Sequence, residues 1–469
     1  MKTIIKHIRL ALLAAIVLLL YPGCKKFVEV GTPTTQLVSA AAFQDDQTAN
    51  AAVAGMYSYM SSLNGALGTF SGFQMAILPS ISADEMTRPN RPTDPYLTNS
   101  VLPNETNDNS MWLNTYAVIY QANSIIEGLQ HSTKITSALK NQLMGEALFI
   151  RAFCHFQLLN LFGAVPVVTT TQVNVSATLP RSSPEDVYKQ IMSDLLQAQS
   201  LTVGDYNTYF AGERVRANKY VVTAFLARVY LYQGQWANAE AAATTVINNA
   251  ATYSLNQDLN TVFLENSQET IWQLLSYGGD GHTLEGNLLT PFSPTQVPPY
   301  TLTPFLLNSF EPGDLRLNDW AKSSVVNGQT YYRAYKYKNR FGSSSNAEYY
   351  MVLRLAEQYL IRAEARAQQN NIGDATSGGL GDVNIIRQRA GLSPLVLTDK
   401  STLLLAIEKE RQTELFSEWG HRWFDLKRTG RADAVLGAEK SNWKSTDALY
   451  PIPAVEISKN PKLTQNPGY

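Results

Sequence analysis

In IEKERQTELFSEWGHRWFDLKRTG, residues 407–430, acids and bases crowd together most densely in the 469-residue chain. Glu414, Glu418 and Arg422 fall at four-residue steps, Arg422 and Asp425 at three, and His421 lies among them. On one continuous helix that spacing lines the groups along a single face, where a carboxylate and an imidazole can exchange protons with a substrate. Leu415, Phe416, Trp419, Trp423, Phe424 and Leu426 are interleaved with the charges, however. Such interleaving draws Arg411, Arg422 and Asp425 toward the interior, and charges removed from water must be paired. A structural ladder of ion pairs therefore accounts for the cluster better than an acid–base centre does.

Other catalytic chemistry finds little support. The five histidines, His7, His131, His155, His282 and His421, form no HExxH pattern and no pair four residues apart, so a zinc site is unsupported. There is no GxSxG and no Walker A motif, and GGDGHTLEG lacks the strand-glycine-helix context of a nucleotide loop. Two carboxylates brought together from distant loops, as in glycoside hydrolases, leave no local signature, and nothing local nominates them.

Aromatic rings in loop-like segments are a different matter: Tyr96, Tyr277, Phe292, Tyr300 and Trp320. A ring presents a flat apolar face that matches the C–H face of a sugar, while neighbouring polar groups bond its hydroxyls. Asp84, Arg88, Asn90 and Asn99 share a loop with Tyr96. The candidate ligand contacts are Asp84, Arg88, Tyr96, Asn99, Tyr277, Tyr300 and Trp320, each of which ordinary packing also explains.

Helices must position these loops. Asp45 or Asp46 can cap a helix in which Ala49, Val53, Met56, Tyr57 and Met60 recur at three- and four-residue steps. The same period runs through WLNTYAVIYQANSIIEGL and LMGEALFIRAFCHFQLLNLFG, predicted to pack as neighbours. In AFLARVYLYQGQWANAEAAATTVI, Leu226, Ala227, Tyr230, Gly234 and Ala239 keep tetratricopeptide spacing with Trp236 at the turn, and Ala363 and Ala375 echo the separation of Ala227 and Ala239. Two such units are too few for a free-standing solenoid, so they must lean on other structure. Only YYRAYKYKNRF reads as a strand, with Tyr335 and Tyr337 on one face and Lys336 and Lys338 on the other. A single body over 43–469 is expected, its helical scaffold at 43–62, 111–250 and 350–436 and its loop-rich inserts at 63–110 and 254–349.

The N-terminus has its own logic. Lys2, Lys6 and Arg9 precede an apolar run from Leu10 to Leu20, then Tyr21, Pro22, Gly23 and Cys24. That is the order of a secretory signal peptide, residues 1–23, and the run is shorter than the roughly 20 residues that span a bilayer. Cys24 directly after a small residue resembles a lipobox, whose thiol takes up diacylglycerol; each buried methylene contributes about 0.8 kcal/mol, so two or three chains anchor firmly where one does not. Residues 24–42 are then a lipidated tether. Cys154, inside LFIRAFCHFQLL, is expected to be a packed thiol rather than a disulfide partner. Without the three bases at Lys2, Lys6 and Arg9, 35 basic face 39 acidic residues, which is not the balance of a nucleic-acid binder.

Eight blocks, in order, resemble the RagB/SusD family of outer-membrane lipoproteins: the Cys24 lipobox, AFQDDQTANAAVAGMYSYM, EALFIRAFCHFQLLNLFGAVPVV, NKYVVTAFLARVYLYQGQWANAEAAA, RLAEQYLIRAEA, VNIIRQRAGL, IEKERQTELFSEWGHRWFDLKR and the terminal YPIPAVEISKNPKLTQNPGY. The resemblance implies a mostly helical scaffold of four tetratricopeptide-like pairs with an irregular, loop-rich ligand region. It also implies a non-enzymatic protein without cofactor or metal, lipid-anchored in the outer membrane at the cell surface. Such a protein captures a glycan, or sometimes a peptide, and passes it to a SusC-like TonB-dependent transporter that it caps as a lid. Ligand residues vary within the family, so none is carried over individually. The loop between ISADE and MWLNTY does occupy the place where members commonly touch ligand. A peptide-binding member, a lipid-anchored glycoside hydrolase and a purely structural helical adaptor remain as alternatives.

Overall fold

The computed structural model describes residues 42–61, 71–276, 280–342 and 345–469, so the signal segment, Cys24, nearly all of the tether and Tyr277 lie outside the described residues. Ten helices carry the framework: α1 (Asp46–Ser61), α2 (Thr106–His131), α3 (Ser137–Phe162), α4 (Pro184–Leu201), α5 (Lys219–Tyr232), α6 (Trp236–Ile247), α7 (Leu355–Gln368), α8 (Gly378–Arg389), α9 (Lys400–Leu415) and α10 (His421–Arg428). Asp45 starts the first of them by accepting the Thr48 amide at 2.8 Å. The stripe Ala49, Val53, Met56, Tyr57 and Met60 is buried, as its spacing predicts.

Residues 132–136 join α2 to α3, and the two pack as neighbours. Helix α3 is apolar nearly all round, hence buried over most of its length, and its few polar groups find fixed partners. Arg151 donates to Asp194 of α4 at 2.8 and 2.6 Å and to Asn123 of α2 at 2.8 Å. Burial, together with the Arg151 charge, pushes His155 down to about 3, so its ring stays neutral and accepts the Val168 amide at 3.3 Å. Cys154 is buried and free, its thiol raised by desolvation.

In the α5–α6 pair, Ala227, Ala239 and Ala243 form a cluster with Ile361 and Ala365 of α7, where small side chains allow close helix approach. The turn between the helices needs Gly234 at φ +68°, and a β-carbon there would sit 3.4 Å from the Trp236 ring. The echo at Ala363 and Ala375 is only half repeated. Ala363 is buried on α7, but Ala375 lies in a turn because the TSGG run resists helix until Gly378.

Among the described residues three antiparallel two-stranded ladders brace the irregular region: β1 (Met86–Thr87) with β3 (Thr301–Leu302), β2 (Thr270–Leu274) with β6 (Tyr350–Arg354), and β4 (Ala321–Val326) with β5 (Gln329–Ala334). The one strand expected from sequence ends at Ala334, before the alternating tyrosines and lysines. Once the chain leaves the ladder the two-residue period no longer applies, and Lys336 and Tyr337 are both buried. Lys336 Nζ reaches Glu418 Oε1 at 2.5 Å and the Glu414 carbonyl at 2.7 Å, and burial pushes it down to about 8.

The dense charged cluster is a set of buried ion pairs, but not a ladder along one helix. Helix α9 ends at Leu415, and Ser417, Trp419 and Gly420 take φ of 59°, 43° and 74° before α10 begins at His421. That break turns each charge toward a different neighbour. Arg422 pairs with Asp84 at 2.6 Å, Arg411 with Asp425 at 2.7 Å, and Arg428 with Glu364 at 2.6 Å. His421 is buried among cations, and its imidazole is held well below its ordinary pKa by desolvation and then by Arg228 and Arg411.

Candidate functional site

The segment between β1 and α2 is tied by its own turns: Arg91 N donates to the Arg88 carbonyl, Asp94 N to Arg91, Thr98 N to Asp94 and Ser100 N to Pro95, all within 3.1 Å. Asp94 is its knot, accepting Arg88 Nη1 at 2.5 Å and the Tyr96 amide at 3.0 Å. Tyr96 pins the segment inward, 1% exposed and edge-on to Tyr450 at 5.5 Å.

Several ligand candidates are thereby reassigned. Tyr96 is a buried anchor. Asp84 is 2% exposed and committed to Arg422 and, at 3.2 Å, to Gln412. Asn99 is buried and only half committed: its Nδ2 donates to the Ser82 carbonyl at 3.0 Å, while its Oδ1 accepts no hydrogen bond, so it keeps a place among the candidates. Trp320 is wholly buried, its Nε1 donating to the Leu259 carbonyl at 2.9 Å. Each correction has one cause: contacts made far away in sequence drew an apolar ring or a pairable group inside.

Arg88 and Tyr300 do meet, the guanidinium lying 5.0 Å from the ring centroid. Tyr300 lines a cleft of about 590 Å³ together with Asn90, Asn287, Phe292, Gln296 and Arg340. Phe292 is 79% exposed, and the Arg340 guanidinium covers one of its faces at 3.6 Å from the centroid. Reciprocal side-chain-to-carbonyl bonds fix Arg340 in turn, with Asn287 Nδ2 donating to the Arg340 carbonyl at 3.1 Å and Arg340 Nη1 to the Asn287 carbonyl at 3.3 Å. Rings, amides and a guanidinium around an open concavity suit a ligand with both C–H faces and hydroxyls. Phe292 stands out in the sequence as a ring in loop-like chain, whereas nothing local marks Asn287, Gln296 or Arg340 beyond an arginine beside Phe341 in KYKNRF.

Below the cleft the short helix Leu284–Leu289 carries Asn287 outward and Glu285 inward. Burial, reinforced by the nearby Glu348 charge, pushes the Glu285 carboxyl up to about 8. Because its folded pKa is raised, its contribution to stability is complete below the ordinary carboxyl value and is lost as pH rises through about 8. Glu285→Gln should match the parent in denaturant titration at about pH 4 and exceed it by roughly 3 kcal/mol at pH 7. Parallel stability curves for the two proteins would contradict this.

Residues 315–469 match the model of the SusD family, and residues 48–231 match a model described as starch-binding associating with outer membrane. A SusD-like protein of Formosa agariphila is 27% identical over 447 residues, covering 81% of this chain and 84% of its own length. A solved SusD superfamily protein from Bacteroides vulgatus superposes with a TM-score of 0.79 at 23% identity, covering 91% of this chain and 100% of that one. A structure described as a laminarin-binding SusD-like protein gives a TM-score of 0.73 at 22% identity, with 91% and 100% covered. Two family models on successive parts of the chain, joined by one shared fold, show that this chain belongs to the RagB/SusD family.

Proposed function

We propose that this protein binds an oligo- or polysaccharide noncovalently at the outer membrane, without catalysis or cofactor, and delivers it to a SusC-like TonB-dependent transporter. Family membership supports the class, and the name of the matching model, starch-binding associating with outer membrane, supports both ligand and location. A laminarin-binding neighbour of the same fold points the same way. Anchoring is assigned to lipidated Cys24, which follows the apolar run directly after Gly23 and begins the tether.

The observation that carries the proposal is the solvent-facing Phe292 ring, backed by Arg340, in a cleft that also holds Tyr300 and three side-chain amides. An exposed ring held by a cation costs little ordering when a sugar stacks on it. Phe292→Ala and Arg340→Ala should each weaken polysaccharide affinity by about 5- to 30-fold, a loss of roughly 1–2 kcal/mol of contact, with melting unchanged. Calorimetry on a polysaccharide retained in an affinity gel measures this. Parental affinity in both variants would remove the cleft from the ligand path.

A further inference from the structure

The segment that contributes Asn90 to this cleft borders a second concavity. Residues 98–102 face residues 441–444, Asp447 and the C-terminal pair Gly468 and Tyr469 across a cavity of about 550 Å³. Small-ligand sites commonly enclose about 300–1,000 Å³. Two partly buried rings, Trp443 and Tyr469, line it. Each is fixed by its polar edge: Trp443 Nε1 donates to Asp433 Oδ1 at 2.8 Å, and the Tyr469 hydroxyl donates to the Leu449 carbonyl at 2.8 Å. Trp443 also meets Trp423 edge to face at 5.9 Å. Rings held this way need no ordering when a ligand arrives.

Asn99 supplies the polar counterpart. It lines the same cavity, is 6% exposed, and sits at φ +49°, a left-handed conformation that few side chains other than asparagine tolerate. Its Nδ2 is committed to Ser82, whereas its Oδ1 accepts no hydrogen bond. An amide oxygen closed off from water without a donor is costly, so a small side-chain shift that opened it to a ligand hydroxyl in the cavity would be favoured. Exposed hydroxyls flank it, with Thr98 Oγ1 and Ser100 Oγ bonded at 2.8 Å.

We propose that this cleft is a second saccharide site, taking a pyranose unit of the same polymer that occupies the Phe292 cleft. It rests on the glycan-binding reading above. One internally tied segment supplies Asn90 to the first site and residues 98–102 to the second, so a chain long enough to reach both binds with avidity, whereas a short oligosaccharide gains nothing. The protein is thereby a selector for polymer over fragment.

The test uses the full-length protein in detergent and an array of algal, plant and bacterial polysaccharides that includes laminarin and amylopectin, with matching trisaccharides. Trp443→Ala and, separately, Ser441→Trp, which fills the cleft without removing a contact, should lower affinity for the retained polymer by about tenfold or more, and leave trisaccharide affinity within about twofold. Parental polymer affinity in both variants, with Phe292→Ala still impaired, would overturn the second site and leave the first standing. Loss in Trp443→Ala alone, accompanied by a lowered melting temperature, would also overturn it. An array on which the parent retains nothing would overturn both readings.

Discussion

Arg354→Met is expected to destabilise the fold by about 3–5 kcal/mol, the cost of leaving buried charges without their partner. Its Nη1 donates to Glu269 at 2.8 Å and Glu414 at 2.5 Å, its Nε to Glu418 at 2.8 Å, and its Nη2 to Glu418 at 2.9 Å and the Glu414 carbonyl at 2.7 Å. Burial opposes ionisation of Glu414, yet Arg389, Arg354 and Arg316 outweigh it and hold the carboxyl well below its ordinary range. A depressed carboxyl contributes stability that is present above its unfolded pKa and lost as pH falls through the folded one. In the variant, Glu414 and Glu418 lose one of the cations that keep them charged, so they take up protons more readily. The deficit in guanidinium denaturation should therefore be largest near pH 7 and shrink toward about pH 5. Unchanged midpoints at both pH values would show that the remaining arginines suffice.

Trp320→Ala carries the second large effect, again about 3–5 kcal/mol of stability, from a cavity left by a wholly buried indole. The loss is compounded because the Leu259 carbonyl forfeits its donor, and because the edge contact with Phe263 at 5.6 Å disappears. Lys336 stands 4.7 Å above the same ring, so the indole also helps to hold a buried cation. Glycan affinity of the folded protein should be unchanged, the reverse of the pattern expected for Phe292→Ala. A Trp320→Ala protein that melts like the parent but no longer binds would return that ring to the ligand.

The contrast between these two rings shows what sequence can carry. Both Trp320 and Phe292 stand in turn-rich chain, and nothing in their immediate neighbours separates an indole that props up a core from a phenyl that faces solvent. Burial was decided by contacts such as Trp320 with Leu259, 61 positions away. The same holds for charge. That Arg411, Arg422 and Asp425 require partners follows from the apolar residues around them, but Arg422 finds Asp84 at a separation of 338 residues, and α9 breaks where a continuous face was expected. Short-range rules fared better where they act alone, as in the Asp45 cap and the buried stripe of α1. The Gly234 turn between α5 and α6 belongs with them.

The knot at Asp94 has an evolutionary corollary. The carboxylate holds Arg88 and the Tyr96 amide while backbone turns from Arg91 to Ser100 hold the chain between and beyond them, so the segment is hard to reshape one residue at a time. Diversification of preference is then easiest by exchanging residues 88–102 as a cassette on an unaltered helical chassis, with divergence concentrated in that block while its internal ties persist.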